Sequence, residues 1–381
     1  RLQGAFSLVF LFPDRIEACR DPWGWRPLVI GRMPPGGRAD GGGAYVIASE
    51  TVALDVIDAE YIREVEPGEI VTISDEGLTS RRFADAAARP AHCVFEHVYF
   101  ANPASVVFGQ NVQTVRERLG EALSREAPIA ADYVMPMPDS GRSAAAGYAR
   151  ASGIPYREGI VPNRYVGRTF IKPTQQERNA AVKLKLNVVA DIVRGKRLIV
   201  VDDSIVRGTT TKTKMDQLRA AGAKEIHLRI SCPPIKHPCF FGVDFARREE
   251  LIANGRTVEE IRQYLGVDSL HYLSLDGLLN CVATGEPSAL SRGRAIEVGS
   301  ATSMPSTPAT TNGHHGVNGS GPNHRYLGER VRGEAAIHLP VLRTPPASAY
   351  CAACYDGDYR IDLDHPTTGE ALDREQMKIF G

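Results

Sequence analysis

Short apolar runs separated by turn residues fill the first 85 residues of the chain and predict an all-β arrangement there. The turn signals Asp21-Pro22 and Pro67-Gly68 interrupt these runs, and no helix of useful length is predicted between them. The predicted strands are 6–12, 27–30, 44–48 and 69–73.

From about residue 130 the pattern changes, because apolar strands now alternate with helices. Such alternation favours a parallel sheet connected by right-handed crossovers, so this part is predicted to be α/β. The predicted strands are 132–137, 196–201 and 225–231, and the predicted helices are 143–151 and 209–221, ended by Gly153 and Gly222.

A third composition begins near residue 283, where Ser, Thr, Pro, Gly and Asn dominate. Such a segment has too little apolar surface to offset its ordering entropy, so most of it is predicted to be disordered. Its His314-His315 pair could bind a metal, but a solvated pair is the more common outcome. The predicted division is 1–85, 86–282, a low-complexity insertion at 283–349, and a tail at 350–381 that carries a C-x-x-C motif.

Charge and cysteine content narrow the class of protein. Lys plus Arg and Asp plus Glu both total 45, so the formal net charge is zero, which argues against general binding to nucleic acid or to an anionic membrane. No apolar run approaches the roughly 18 residues of a membrane helix. Seven cysteines, an odd number, and no signal-like start favour a reducing compartment, the cytoplasm. Because Arg1 runs directly into a predicted strand, a truncated N-terminus is expected.

The segment at 198–211 carries the strongest functional signal. Four apolar residues precede Asp202 and Asp203, and a loop with Gly208 and three threonines then enters a helix. Open α/β sheets bind ligands at the ends of such strands, and backbone N–H groups at a helix start suit a phosphate. A ribose between the carboxylates and the phosphate would fit this order. The alternative is that the two Asp residues form only a turn and a helix N-cap.

This segment resembles the phosphoribosyl pyrophosphate (PRPP) signature of type I phosphoribosyltransferases, and its flanks resemble the amidophosphoribosyltransferase family. The resemblance covers about residues 4–282 and resumes at 350–359. It is carried by DPWGWRPL at 21–28, ASE at 48–50, PDSGRSA at 138–144, NRYVGRTFI at 163–171 and SCPPIKHPCF at 231–240.

The resemblance implies an α+β remnant of an N-terminal nucleophile glutaminase domain, followed by an α/β type I phosphoribosyltransferase domain with a parallel sheet. It also implies the first committed step of purine synthesis, in which PRPP and ammonia derived from glutamine form 5-phosphoribosylamine. The implied catalytic residues are Asp202, Asp203 and Arg168; the implied PRPP-binding residues are Asp202, Asp203, Ser204, Arg207, Gly208, Thr209, Thr210, Arg164 and Tyr165; and the implied Mg²⁺ positions are Ser140, Asp202 and Asp203.

A basic stretch from 163 to 178 is predicted to close over the substrate. Arg164, Arg168, Lys172 and Arg178 lie among Gly and Pro residues, and a lid would shield the pyrophosphate from water. A solvated cluster of surface charges is the alternative.

Four cysteines match the ligands of a [4Fe–4S] cluster in one branch of the family: Cys93, Cys239, Cys351 and Cys354. Their spacing alone would suit zinc as well. The remaining cysteines, Cys19, Cys232 and Cys281, are expected to be small buried residues. The family's glutaminase nucleophile is an N-terminal cysteine, which Arg1 cannot replace, so only ammonia-dependent activity is expected of this chain.

Two other functions compete with the enzyme. A PRPP-binding regulator would need only the PRPP loop, and a salvage phosphoribosyltransferase would need a base-recognition hood that the sequence does not reveal. The expected partners of the enzyme are PRPP, glutamine or ammonia, and purine nucleotides as feedback inhibitors. A homo-oligomer is also expected.

Overall fold

The computed structural model describes residues 4–34, 43–163, 186–245, 247–284 and 344–361. Most of the predicted low-complexity insertion and the predicted lid beyond Asn163 lie outside these ranges. Within them, no helix is both long and apolar enough to cross a membrane.

Two antiparallel sheets form the N-terminal part, as the apolar runs predicted. Their shared core contains Ala18, Leu28, Ile30 and Val71, all at most 4% exposed. The one helix described there, Val52–Asp55, has only four residues. In spatial order, the first sheet is Ser7–Leu11, Arg15–Arg20, Glu69–Ser74 and Gly77–Arg82, and the second is Tyr45–Ala48, Val29–Arg32 and Glu60–Glu64.

A four-stranded parallel sheet forms the centre of the second part, which confirms the α/β prediction. Four consecutive residues of one inner strand, 198–201, are completely buried, because helices cover both faces of such a sheet. The strands in spatial order are Tyr133–Pro136, Arg197–Asp202, Glu225–Ile230 and Ser269–Tyr272, and the longer helices are Val112–Glu126, Arg142–Ser152, Thr209–Ala220, Val258–Leu265 and Leu275–Ala283.

Two glycines let a pair of these helices approach closely. A Cβ on Gly120 would lie 1.8 Å from the Ala144 carbonyl oxygen, and a Cβ on Gly147 would lie 1.9 Å from the Glu117 carbonyl oxygen. The Arg142–Ser152 helix ends at Gly153, which has a left-handed φ of 71°, as its glycine predicted. This packing fixes the start of the helix and therefore the loop that precedes it.

Short elements connect the two parts and return the C-terminal segment to the core. Tyr350–Cys351 pairs in parallel with His92–Cys93, and this pairing brings the C-x-x-C motif beside Cys93. The other short elements are Glu96–Phe100, Val106–Val107, Gln110–Asn111, Ile160–Pro162, Leu186–Val188, Ala190–Val193, Arg248–Glu250, Ala347–Ala349 and Ala353–Asp356.

Candidate active site

Asp202 and Asp203 lie at the carboxyl end of an inner strand of the parallel sheet, where the sequence placed them. Both are buried, at 8% and 5% exposure. The loop from Met137 to Gly141 runs beside them, since the Met137 N–H donates to the Val201 carbonyl oxygen at 2.8 Å. Two segments that are far apart in sequence therefore meet at this edge.

Hydroxyl groups hold the Asp203 carboxylate. Ser140 Oγ donates to one oxygen in a close contact, and Ser204 Oγ donates to the other at 2.6 Å. The Asp203 N–H in turn donates to Asp202 Oδ1 at 3.0 Å. The structure thus brings together Ser140, Asp202 and Asp203, the three residues expected to hold Mg²⁺.

The electrostatics of the pair favour a cation. Burial, and then the charge of Asp203, raises the pKa of Asp202 above its usual value. No described Lys or Arg forms an ion pair with either carboxylate. Within the described ranges, no three His, Cys, Asp or Glu side chains form a group that could hold a metal ion alone. A cation would therefore use the carboxylates, a hydroxyl and substrate oxygens, which are donors that Mg²⁺ accepts.

The start of the Thr209–Ala220 helix is open to an anion. Its N-cap is Gly208, with φ of 76°, and no side chain caps the first turn. The left-handed conformation favours glycine, and a Cβ at Gly208 would lie 2.4 Å from Ile252 Cδ1, so the end of the Ile252 side chain would have to shift. The alternative in which Asp203 caps this helix is wrong, because the helix begins six residues later.

Arg207 is placed near this loop but faces away from the carboxylates. Its Nε donates to Glu250 Oε2 at 2.6 Å, and about half of its side chain is exposed. Thr209 and Thr210 are exposed at the helix start. The remaining expected site residues, Arg164, Tyr165 and Arg168, lie outside the described residues.

One buried cation near the site was not predicted. Arg116 donates to the carbonyl oxygens of His97 and Ala101 at 2.8 and 2.9 Å, and Asp203 is among the acids whose field reaches it. Burial, the largest effect, lowers its pKa. A sequence signal existed, because Arg116 occupies a position in the apolar stripe of its helix between Val112 and Leu119.

Comparison with known proteins identifies relatives of this arrangement. No family model matches the chain. The chain is 53% identical to the amidophosphoribosyltransferase of Methanothermobacter thermautotrophicus over 282 aligned residues. This alignment covers 74% of this chain and 58% of that protein. It is 52% identical to the amidophosphoribosyltransferase of Synechocystis sp. over 283 aligned residues, and this alignment covers 74% of this chain and 56% of that protein.

Over these residues the chain is a homologue of the amidophosphoribosyltransferases. The solved structure of the glutamine PRPP amidotransferase from B. subtilis, complexed with ADP and GMP, matches 77% of this chain and 61% of its own, with 47% identity and a TM-score of 0.66. A structure described as the allosteric regulatory enzyme of purine biosynthesis matches 75% of this chain and 60% of its own chain, with 48% identity and a TM-score of 0.67. The chain spans a little over half the length of the curated relatives that it matches.

The four cysteines singled out in this amidophosphoribosyltransferase homologue lie in one region. Cys93 and Cys351 are partners on adjacent strands, and the N–H groups of Lys236 and His237 donate to the Cys354 carbonyl oxygen at 2.9 and 3.1 Å. Cys354 is within electrostatic reach of Cys93, Cys239 and Cys351. All four are free thiols.

Burial raises the pKa of three of these thiols, those of Cys93, Cys351 and Cys354, and so keeps them protonated. It raises the pKa of Cys93 to about 12 and that of Cys351 to about 11. In the described part of the chain no three of the four stand as a metal-binding group. Four soft sulfur donors without a disulfide nevertheless suit an iron–sulfur cluster or zinc in donor type. The other three cysteines are buried small residues, as predicted: Cys19, Cys232 and Cys281.

Proposed function

We propose that this chain transfers ammonia to PRPP, forming 5-phosphoribosylamine and pyrophosphate, as the transferase portion of an amidophosphoribosyltransferase. The observation that carries the proposal is the buried Asp202–Asp203 pair beside the uncapped start of the Thr209–Ala220 helix. The homology over about three quarters of the chain supports the same reaction.

Each part of the site has a task in this proposal. The free N–H groups of the first helical turn bind the 5′-phosphate. Asp202 and Asp203 accept hydrogen bonds from the ribose hydroxyls, and the two serine hydroxyls hold Asp203 in place. The charge of the pair stabilises the positive character that develops on the sugar as the bond from C1 to pyrophosphate breaks. Ammonia then forms the new bond at C1 and loses one proton.

Mg²⁺ bound beside Ser140, Asp202 and Asp203 would neutralise the pyrophosphate leaving group. Arg164, Tyr165 and Arg168 are proposed to close over the substrate, and Arg207 is proposed to leave Glu250 for the phosphate side. Pyrophosphate is then shielded from water during the reaction.

The two antiparallel sheets of residues 1–85 are proposed to be part of a glutaminase domain that supplies ammonia from glutamine. The four clustered cysteines are proposed to hold a [4Fe–4S] cluster. Purine nucleotides are proposed as feedback inhibitors, because the B. subtilis relative binds ADP and GMP. We also propose that the protein is a cytoplasmic homo-oligomer.

The first test supplies PRPP, Mg²⁺ and ammonium chloride at pH 8 and measures pyrophosphate release together with trapped phosphoribosylamine. Both products are expected in equal amounts. A protein that binds PRPP, seen as a thermal shift, but releases no pyrophosphate would instead be the regulator.

The second test replaces single charges. Asp202→Asn and Asp203→Asn are each expected to lower the rate by about 10²-fold or more, because Asn keeps the hydrogen bonds but not the charge. The matched control is Asp216→Asn, an exposed acid on the neighbouring helix that pairs with Lys212 and is expected to leave the rate unchanged. Rates near wild type in both site variants would refute the assignment.

A further inference from the structure

One segment, residues 250–264, lines one side of the phosphate loop, which is defined here as residues 204–208. The Ile252 N–H donates to the Val206 carbonyl oxygen at 2.8 Å, and Glu250 accepts a hydrogen bond from Arg207. Ile252 is 3% exposed, so this end of the segment is fixed in the core. Because Arg207 is proposed to leave Glu250 when substrate binds, the loop needs other contacts to keep its shape.

Gly208 meets the same segment directly. The position that a Cβ on Gly208 would occupy lies 2.4 Å from Ile252 Cδ1 and 3.5 Å from Tyr264 Cε1, so these two side chains fill the space beside its Cα. Gly208 is also the N-cap of the Thr209–Ala220 helix. Ile252 and Tyr264 therefore support the residue on which the direction of the first-turn N–H groups depends.

The Tyr264 ring is held at the surface rather than in the core. It is 40% exposed, although its edge lies against the phosphate loop. The Arg256 guanidinium lies over this ring, with Cζ 5.5 Å from the ring centre. A cation over an aromatic face is attracted to it, so Arg256 holds in place a ring that burial alone does not fix.

We propose that Tyr264 is a positioning residue for the 5′-phosphate: its ring, held by Arg256, keeps Gly208 and the first helical turn in the shape that binds a phosphate monoester. This role rests on the proposed phosphate site at the same helix start. A loop that holds its binding shape only part of the time binds proportionally more weakly. The 5′-phosphate is unchanged when the bond at C1 breaks, so losing the support weakens substrate binding more than it slows the chemical step.

The test compares the affinity of wild type and Tyr264→Ala for ribose 5-phosphate, measured by isothermal titration calorimetry. This ligand carries the phosphate and the ribose but no pyrophosphate, so its binding does not depend on turnover. If the unsupported loop holds its binding shape about one tenth of the time, the dissociation constant rises about tenfold. In the ammonia-dependent assay the KM for PRPP is expected to rise by the same factor, with kcat changed by less than about twofold.

Three further variants define which part of the side chain matters. Tyr264→Phe keeps the ring and is expected to bind ribose 5-phosphate as wild type does. Arg256→Gln is expected to raise the dissociation constant about threefold in the wild-type background and to add nothing in the Tyr264→Ala background, because Arg256 acts through the ring.

Val258→Ala is the matched control. Val258 is 39% exposed on the same helix, but six positions from Tyr264 and therefore on another face, so its truncation is expected to leave the affinity unchanged. Urea unfolding establishes that each variant is folded under the conditions of the titration.

The outcomes separate the phosphate site from the positioning role. Wild type that binds no ribose 5-phosphate would overturn the phosphate site and this inference with it. Wild-type affinity in Tyr264→Ala, an equal loss in Val258→Ala, or a fall in kcat at unchanged KM would overturn the positioning role alone. An additive effect of Arg256→Gln in the Tyr264→Ala background would overturn the part assigned to Arg256. Pyrophosphate release from PRPP is measured separately and decides the proposed reaction.

Discussion

Gly208→Ala tests whether the phosphate loop requires glycine for its conformation alone or also for space. Gly208 has φ of 76°, and a left-handed residue with a Cβ costs about 1–2 kcal/mol. The new Cβ would also lie 2.4 Å from Ile252 Cδ1. Overpacking of this kind costs about 1–3 kcal/mol, so the total expected loss is about 2–5 kcal/mol.

Gly153→Ala is the matched control. Gly153 also adopts a left-handed conformation at a helix end, with φ of 71°, but its added Cβ would meet no atom within 4 Å. Its expected loss is therefore only the conformational cost of about 1–2 kcal/mol. The free energy of unfolding from urea titration, measured for both variants under the same conditions, isolates the effect of the close approach.

Ile252→Val removes the atom that the new methyl group would meet. By itself it is expected to cost about 0.5–1.5 kcal/mol. Combined with Gly208→Ala, it is expected to recover about 1 kcal/mol or more of the loss, so the double variant is more stable than the sum of the single changes. PRPP-induced thermal stabilisation, weakened in Gly208→Ala, should recover in parallel. Equal losses at Gly208 and Gly153 together with an additive double variant would refute the steric reasoning.

Three further predictions concern charge and thiols. Burial and the neighbouring carboxylate raise the pKa of Asp202 in the folded state. Ionising Asp202 therefore destabilises the fold as the pH rises above the unfolded-state pKa of about 3.9. Without divalent metal, Asp202→Asn should unfold at higher urea than wild type at pH 7, and this gain in stability should vanish at about pH 3. Burial would raise the pKa of Glu69, but the bidentate hydrogen bonds from Arg63 outweigh burial and lower it. Glu69→Gln should therefore lower the free energy of unfolding by about 3 kcal/mol at pH 7. The difference from wild type should disappear as the pH falls through the pKa of Glu69 in the folded state. Cys354→Ser should abolish iron binding, measured by metal analysis of anaerobic protein, whereas Cys281→Ser, a buried cysteine outside the proposed ligands, should retain it.

Each of the seven strands predicted from the local pattern overlaps an observed strand, and the ends of two helices were also predicted. Four longer strands were not predicted: Arg15–Arg20, Glu60–Glu64, Gly77–Arg82 and Ser269–Tyr272. The strand predicted at 69–73 is observed at Glu69–Ser74, and the helix predicted at 143–151 is observed at Arg142–Ser152. These succeed because apolar periodicity and glycine stops act within a few residues. The Val112–Glu126 helix was not predicted, although its apolar stripe was present in the sequence.

The position of the aspartate pair also followed from sequence, because a buried strand that ends in polar residues delivers them to one edge of a parallel sheet. Their surroundings did not follow. That Ser140 donates to Asp203, and that Arg116 is buried within reach of Asp203, depends on how the Met137–Gly141 loop and the Val112–Glu126 helix pack.

The sequence by itself determined which residue types the chain places at strand ends and helix starts, since hydrophobic period and backbone preference are local. Only the tertiary structure decided which distant groups meet. Cys93 and Cys351 are 258 positions apart and become strand partners, and Arg26, from the connection between two N-terminal strands, lies 3.7 Å from Cys93 Sγ. Such contacts depend on the packing of separate elements, which no local pattern encodes, and they determine the electrostatic environment of the site.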